Sequence, residues 1–175
     1  KKNDIVWTSP NTFVSTANAA IYCGAIVEFV DIDVGTYNMS IEVLREKLVQ
    51  AKKENKLPKL VVPVHFSGQS CEMKDIWELS KEYGFKVIED ASHALGGEYK
   101  NKKVGCCEYS HITVFSFHPV KMITTGEGGA ITTNDKDLDE KIKLLRSHGI
   151  IRNKEKFKNN NDGDWYYEQQ VLGFN

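Results

Sequence analysis

The chemistry-bearing residues of this sequence gather where apolar runs stop. Residues 60–64 run into His65-Phe66-Ser67-Gly68, and residues 86–88 into Glu89-Asp90-Ala91-Ser92-His93. Residues 114–117 run into His118-Pro119-Val120-Lys121, followed at once by Thr124-Thr125-Gly126-Glu127-Gly128-Gly129. Brought to one edge, these stretches supply a carboxylate, several imidazoles and an amine, the equipment of acid–base and nucleophilic chemistry. Each has a commoner use when taken singly. Asp90 can cap a turn, Lys121 can be a solvated surface lysine, and Ser116 can bond to backbone. Phe13 can be core, His93 and His118 can be structural, and the glycines can be a plain turn. The pattern marks a ligand site without naming the ligand.

The elements that must position these residues alternate. Apolar runs at 5–8, 26–30, 60–64, 85–88, 112–117 and 129–133 read as strands. Helices are expected at 13–23, ended by Gly24, and at 41–55, capped by Ser40 with Ile41, Leu44 and Leu48 on one face. Two more are expected at 73–83, stopped by Gly84, and at 135–146. The Asn/Lys-rich stretch 153–164 reads as a mobile loop with nothing packed in it. Strands alternating with helices give β-α-β units, hence an α/β fold with a largely parallel sheet. In such sheets ligands sit at the carboxyl ends of the strands, where the three clusters lie.

Composition narrows the class. The chain has 175 residues, 41% hydrophobic and 27% charged, which suits one globular domain. A formal net charge of −1 gives no electrostatic reason to expect a nucleic acid or a membrane as partner. No apolar run reaches the length of a membrane helix. Cys23, Cys71, Cys106 and Cys107 form no C-x-x-C pair and read as reduced cytoplasmic thiols. A metal site built from His65, Asp90, His93 and His118 lacks the helical His spacing of zinc motifs, so no metal is expected.

One cofactor has needs that these residues match. Pyridoxal 5′-phosphate (PLP) carries a cationic ring nitrogen that a carboxylate keeps protonated, and an aldehyde that a partly desolvated lysine attacks. It also needs a flat side chain against its ring and hydroxyl or N–H donors for its phosphate. Asp90, Lys121, Phe13 and Ser116 are the candidates, in that order.

The string from Val114 to Gly129, preceded by Glu89-Asp-Ala-Ser-His-Ala-Leu-Gly96, closely resembles the nucleotide-sugar aminotransferases of the DegT/DnrJ/EryC1/StrS family. The resemblance runs from about Val6 to Asn175. It implies a PLP-dependent fold type I (aspartate aminotransferase-like) large domain, with a mostly parallel sheet flanked by helices. It makes Lys121 the Schiff-base lysine, Asp90 the partner of the pyridine nitrogen, and His93 a neighbour of the phenolate oxygen. It makes Ser116 a phosphate ligand and Phe13 the stacking aromatic. It makes Asn175 a residue that reaches the phosphate of a neighbouring subunit, which implies a homodimer with shared active sites; the place of action is expected to be cytoplasmic. Further strings, Leu144-Leu-Arg-Ser-His-Gly-Ile150, Trp165-Tyr-Tyr-Glu-Gln-Gln170 and Leu172-Gly-Phe-Asn175, resemble family members of pseudaminic acid biosynthesis. Those aminate C4 of a UDP-linked 4-keto-6-deoxy-N-acetylhexose, usually with glutamate as donor. Against the family's length, residues 1–175 are expected to be a partial large domain, with the N-terminal arm and the smaller C-terminal domain absent.

Overall fold

The computed structural model describes residues 1–159 and 163–174. Its contacts divide into two compact units, Lys1–Asn134 and Asp135–Asn175.

The first unit opens with strand β1 (Ile5–Thr8), helix α1 (Val14–Tyr22), strand β2 (Ile26–Phe29), helix α2 (Ile41–Lys53) and strand β3 (Leu60–Val62). Helix α3 (Met73–Tyr83), strand β4 (Lys86–Asp90) and a small antiparallel hairpin, β5 (Glu98–Tyr99) with β6 (Lys102–Lys103), follow. Strands β7 (Ile112–Ser116) and β8 (Gly129–Thr132) complete it. Six strands form one sheet in the order β2-β1-β3-β4-β7-β8. The first five run parallel, as the alternation with helices requires. The sheet is largely parallel, as expected, with one antiparallel strand at its edge. β8 runs antiparallel to β7, with Ser116 opposite Gly129, because the chain turns straight back through 117–128 without a crossover helix. Lys121 therefore lies in a hairpin connection at the carboxyl edge of β7.

Residue alternation splits β4 between the two faces of the sheet. Val87 and Glu89 turn toward α2 and α3, while Ile88 and Asp90 turn toward the face that carries α1. The core lies on the first of these faces. Trp7, Val61 and Val87 meet Leu44 and Leu48 of α2 and Met73, Ile76 and Leu79 of α3. Ser40 caps α2 by accepting the Val43 N–H. Gly84 ends α3 at φ +80°, in the left-handed conformation that glycine takes without strain. Helix α1 buries none of its residues.

The second unit holds helix α4 (Lys136–Leu145), capped by Asp135, and an antiparallel pair, β9 (Ile150–Ile151) with β10 (Glu168–Gln169). The loop expectation for 153–164 is corrected here for its described part. Lys154–Lys156 is a turn of 3-10 helix, and the backbone N–H groups of Lys158 and Asn159 donate to the Glu168 carboxylate. The missed signal was a single buried acid downstream. No helix among the described residues is long and apolar enough to cross a membrane.

Candidate active site

Phe13, Asp90, His93, Ser116 and Lys121 all lie where the chain leaves the sheet at its carboxyl edge. Phe13 follows β1 and immediately precedes α1. Asp90 ends β4, His93 follows it, and Ser116 ends β7. Together with Lys121 they line one cavity of about 730 Å³, whose wall also includes Thr12, Phe66 and Glu127. That volume falls in the range of roughly 300–1,000 Å³ typical of small-molecule sites.

Each side chain sits differently. Phe13 is 74% exposed, so its ring is not core and its face is open to a ligand. Lys121 is half-buried. The Asp90 carboxylate accepts from the Thr16 hydroxyl at 2.7 Å on Oδ2. On Oδ1 it accepts from the Ser92 hydroxyl at 2.6 Å and the Ser92 N–H at 3.1 Å. Ser116 Oγ accepts the His118 N–H at 3.4 Å. His118 Nδ1 accepts the Val120 N–H at 3.3 Å, which curls the backbone ahead of Lys121. Asn175 lies outside the described residues.

A second network lies on the opposite face of β4. The His65 ring bonds through Nε2 to Glu89 at 2.8 Å, and its Nδ1 accepts the Cys71 N–H at 3.1 Å. The ring proton therefore sits on Nε2 and is donated to the carboxylate. Ser110 and Thr113 donate their hydroxyls to the other oxygen of Glu89. Burial pushes the Glu89 carboxyl up, but the His65 ring and these two hydroxyls outweigh it and hold the group below the ordinary glutamate range. Burial pushes the neighbouring Cys71 thiol up to about 12, so it stays protonated and donates to the Val64 carbonyl. His65 is fully buried in this network, apart from Asp90, His93 and His118. Among the described residues no group of three or more His, Cys, Asp or Glu is placed to hold a metal ion.

The turns after β3 and β4 touch at one glycine. Gly68 has φ +89°, and a Cβ there would lie 2.7 Å from the His93 carbonyl oxygen. Gly68→Ala should cost about 2 kcal/mol or more and lower the melting temperature by roughly 5–10 °C. Gly84→Ala is the comparator. It has a similar φ of +80° but nothing within 4 Å of the added carbon, so it carries the backbone strain alone. Equal melting temperatures for the two variants would show that the contact with His93 is unimportant.

Thr12, Thr16, Ser92 and Glu127 had no role assigned from the sequence, although Ser92 and Glu127 lie in the strand-end clusters. Ser92, two residues after Asp90, carried a usable signal, since Asx-type turns have this spacing. Thr16 carried none, because its contact with Asp90 spans 74 residues.

The profile of the DegT/DnrJ/EryC1/StrS aminotransferase family matches residues 1–175. The chain belongs to this family. An "uncharacterized protein MJ1066" of Methanocaldococcus jannaschii is 44% identical over 174 residues, 99% of this chain and 43% of that protein. A UDP-4-amino-4,6-dideoxy-N-acetyl-beta-L-altrosamine transaminase of Campylobacter jejuni is 51% identical over 151 residues, 86% of this chain and 39% of that protein. The solved structure of Helicobacter pylori PseC is described as an aminotransferase involved in the biosynthesis of pseudoaminic acid. It superposes with a TM-score of 0.82 at 37% identity, over 98% of this chain and 42% of that one. The chain thus spans about two fifths of the length of the relatives it matches.

The family's cofactor is PLP, and the donor set fits it. The cavity offers the Asp90 carboxylate for a cationic ring nitrogen, with Glu127 as a second acid in the wall, the Lys121 amine for an aldehyde, the open Phe13 face, and hydroxyls for a phosphate.

Proposed function

We propose that this chain is the cofactor-holding part of a PLP-dependent aminotransferase that aminates C4 of a UDP-linked 4-keto-6-deoxy-N-acetylhexose, with glutamate as amino donor. The observation that carries this reading is the single cavity shared by Lys121, Asp90, Phe13, His93 and Ser116 at the carboxyl edge of the sheet. The transaminase activity for which the Campylobacter jejuni relative is named supports the choice of sugar.

When bound, the cofactor supplies an electron sink and a carrier for the amino group. The residues supply the rest. Lys121 would hold the cofactor through its amine and would take the proton from the donor's α-carbon. A positioned base of this kind contributes roughly 10²–10⁴-fold. Asp90 keeps the ring nitrogen protonated, and Phe13 fixes the plane of the ring. Ser116 holds the phosphate, and His93 stands near the phenolate oxygen. The proposed working unit is a homodimer with shared sites, Asn175 being the residue that the family resemblance assigns to the second copy's phosphate. Four free thiols suit a cytoplasmic place of action.

The test is a coupled assay on the full chain with PLP, glutamate and nucleotide-linked 4-keto sugars. Amination of the UDP-linked sugar, with one 2-oxoglutarate formed per amine, is expected. Preference for a GDP- or dTDP-linked sugar would reassign the substrate, and no transfer to any nucleotide sugar would reject the activity.

A further inference from the structure

Asp90 is held by hydroxyls on both of its oxygens, and counting its lone pairs says what remains. A carboxylate has about four acceptor sites. Oδ1 is filled by the Ser92 hydroxyl and N–H, and Oδ2 takes the Thr16 hydroxyl. The one site left unengaged by these bonds is on Oδ2. The direction of the hydroxyl chain is also set. Thr16 and Thr12 Oγ1 atoms lie 2.9 Å apart, and either can donate when this pair is taken alone. A hydroxyl has one proton. Thr16 spends its own on Asp90, so Thr12 must donate to Thr16. Thr16 lies one turn beyond Phe13 at the start of α1. The short helical segment that presents the exposed ring thus also grips the carboxylate.

We infer that Thr16 and Ser92 are positioning residues that aim the remaining Oδ2 lone pair of Asp90 at the ring nitrogen of the cofactor, with Thr12 orienting Thr16. Ser92 clamps Oδ1 and fixes the carboxylate plane. Thr16 occupies one side of Oδ2 and leaves the other for a cationic N–H. Because Phe13 is the N-cap of α1 and its carbonyl accepts the Thr16 N–H, the height of the stacking ring and the direction of the acid are set together. This rests on the assignment of Asp90 to the ring nitrogen made above.

The test is PLP titration into the cofactor-free full chain, read by visible absorbance and by the induced circular dichroism of the bound cofactor, which reports ring orientation. Thr16→Val keeps the shape and removes the hydroxyl, whereas Thr16→Ser keeps the hydroxyl. Thr16→Val should weaken binding about tenfold, the scale of one charge-assisted hydrogen bond, and change the dichroism. Thr16→Ser should restore both. Ser92→Ala should act in the same direction and carries the test should Thr16→Val melt early. Asp90→Asn is measured beside them. If Asp90→Asn alters binding and dichroism while Thr16→Val and Ser92→Ala match the parent, the positioning role is overturned and the Asp90 assignment stands. Equal behaviour of Thr16→Val and Thr16→Ser, both impaired, would also overturn it. If Asp90→Asn itself matches the parent, the Asp90 assignment falls and this inference falls with it.

Discussion

Lys121→Ala is expected to abolish amino transfer and to leave PLP bound without covalent attachment. The side chain lines the cavity shared with Asp90 and is half-buried. The lysines committed to ion pairs, such as Lys47 with Glu28 and Lys103 with Glu98, are elsewhere, and Lys121 joins no such pair among the described residues. A free, partly desolvated amine is a competent nucleophile and base. Loss of the base alone removes roughly 10²–10⁴-fold in rate, and loss of the tether adds to this. Lys121→Arg separates charge from basicity. It keeps a cation in place, but a guanidinium does not deprotonate in proteins, so it should be as inactive as alanine. The checks are 2-oxoglutarate formation and peptide mass after borohydride reduction. The cofactor mass should appear on the Lys121 peptide of the parent and on no peptide of either variant. A normal rate in Lys121→Arg, or a label on another lysine, would reject the role.

The second large effect concerns stability. Glu89→Ala should destabilise the fold by about 3–5 kcal/mol. The change opens a cavity and leaves three buried donors without their acceptor: His65 Nε2–H and the hydroxyls of Ser110 and Thr113. Against a typical total of about 5–15 kcal/mol this is a large share. Because the network pins the end of β3 to the end of β4, the loss should also loosen the strand end that carries Asp90. The same network predicts a pH dependence. The folded-state pKa of Glu89 lies below the ordinary value of 4.5. Its contribution is therefore fully present above that value and is lost as pH falls through the lower, folded-state value. Urea unfolding of the parent should weaken across that acid window, while Glu89→Gln, which has nothing to titrate, should show a flatter profile there. A cost under about 1 kcal/mol for Glu89→Ala, or an unchanged acid slope in Glu89→Gln, would contradict this account.

Much of the fold was legible because local signals agreed. Ser40 capped the helix it was expected to cap, and Gly24 and Gly84 both take positive φ where helices were expected to stop. The carboxyl-edge rule then put the clusters after 64, 88 and 117 within reach of one another. What the sequence left unassigned or misread was what depends on distant partners. The direction of β8 turned on how the 117–128 connection folds back. The placing of Lys158 and Asn159 turned on Glu168. His65 carried the residue type of an active-site imidazole and is instead a buried structural donor.

Asp90 and Glu89 show the division most clearly. The sequence by itself determined that two adjacent carboxylates end a strand, and period-two alternation then sends them to opposite faces. It could not say which one meets solvent and ligand, since that depends on where α2 and α3 pack. Only the tertiary structure decided that Glu89 turns inward to His65 while Asp90 turns toward Thr16 and the cavity. The physical reason is that strand and helix periodicities are local, whereas the partners that satisfy a buried charge come from elements far away along the chain.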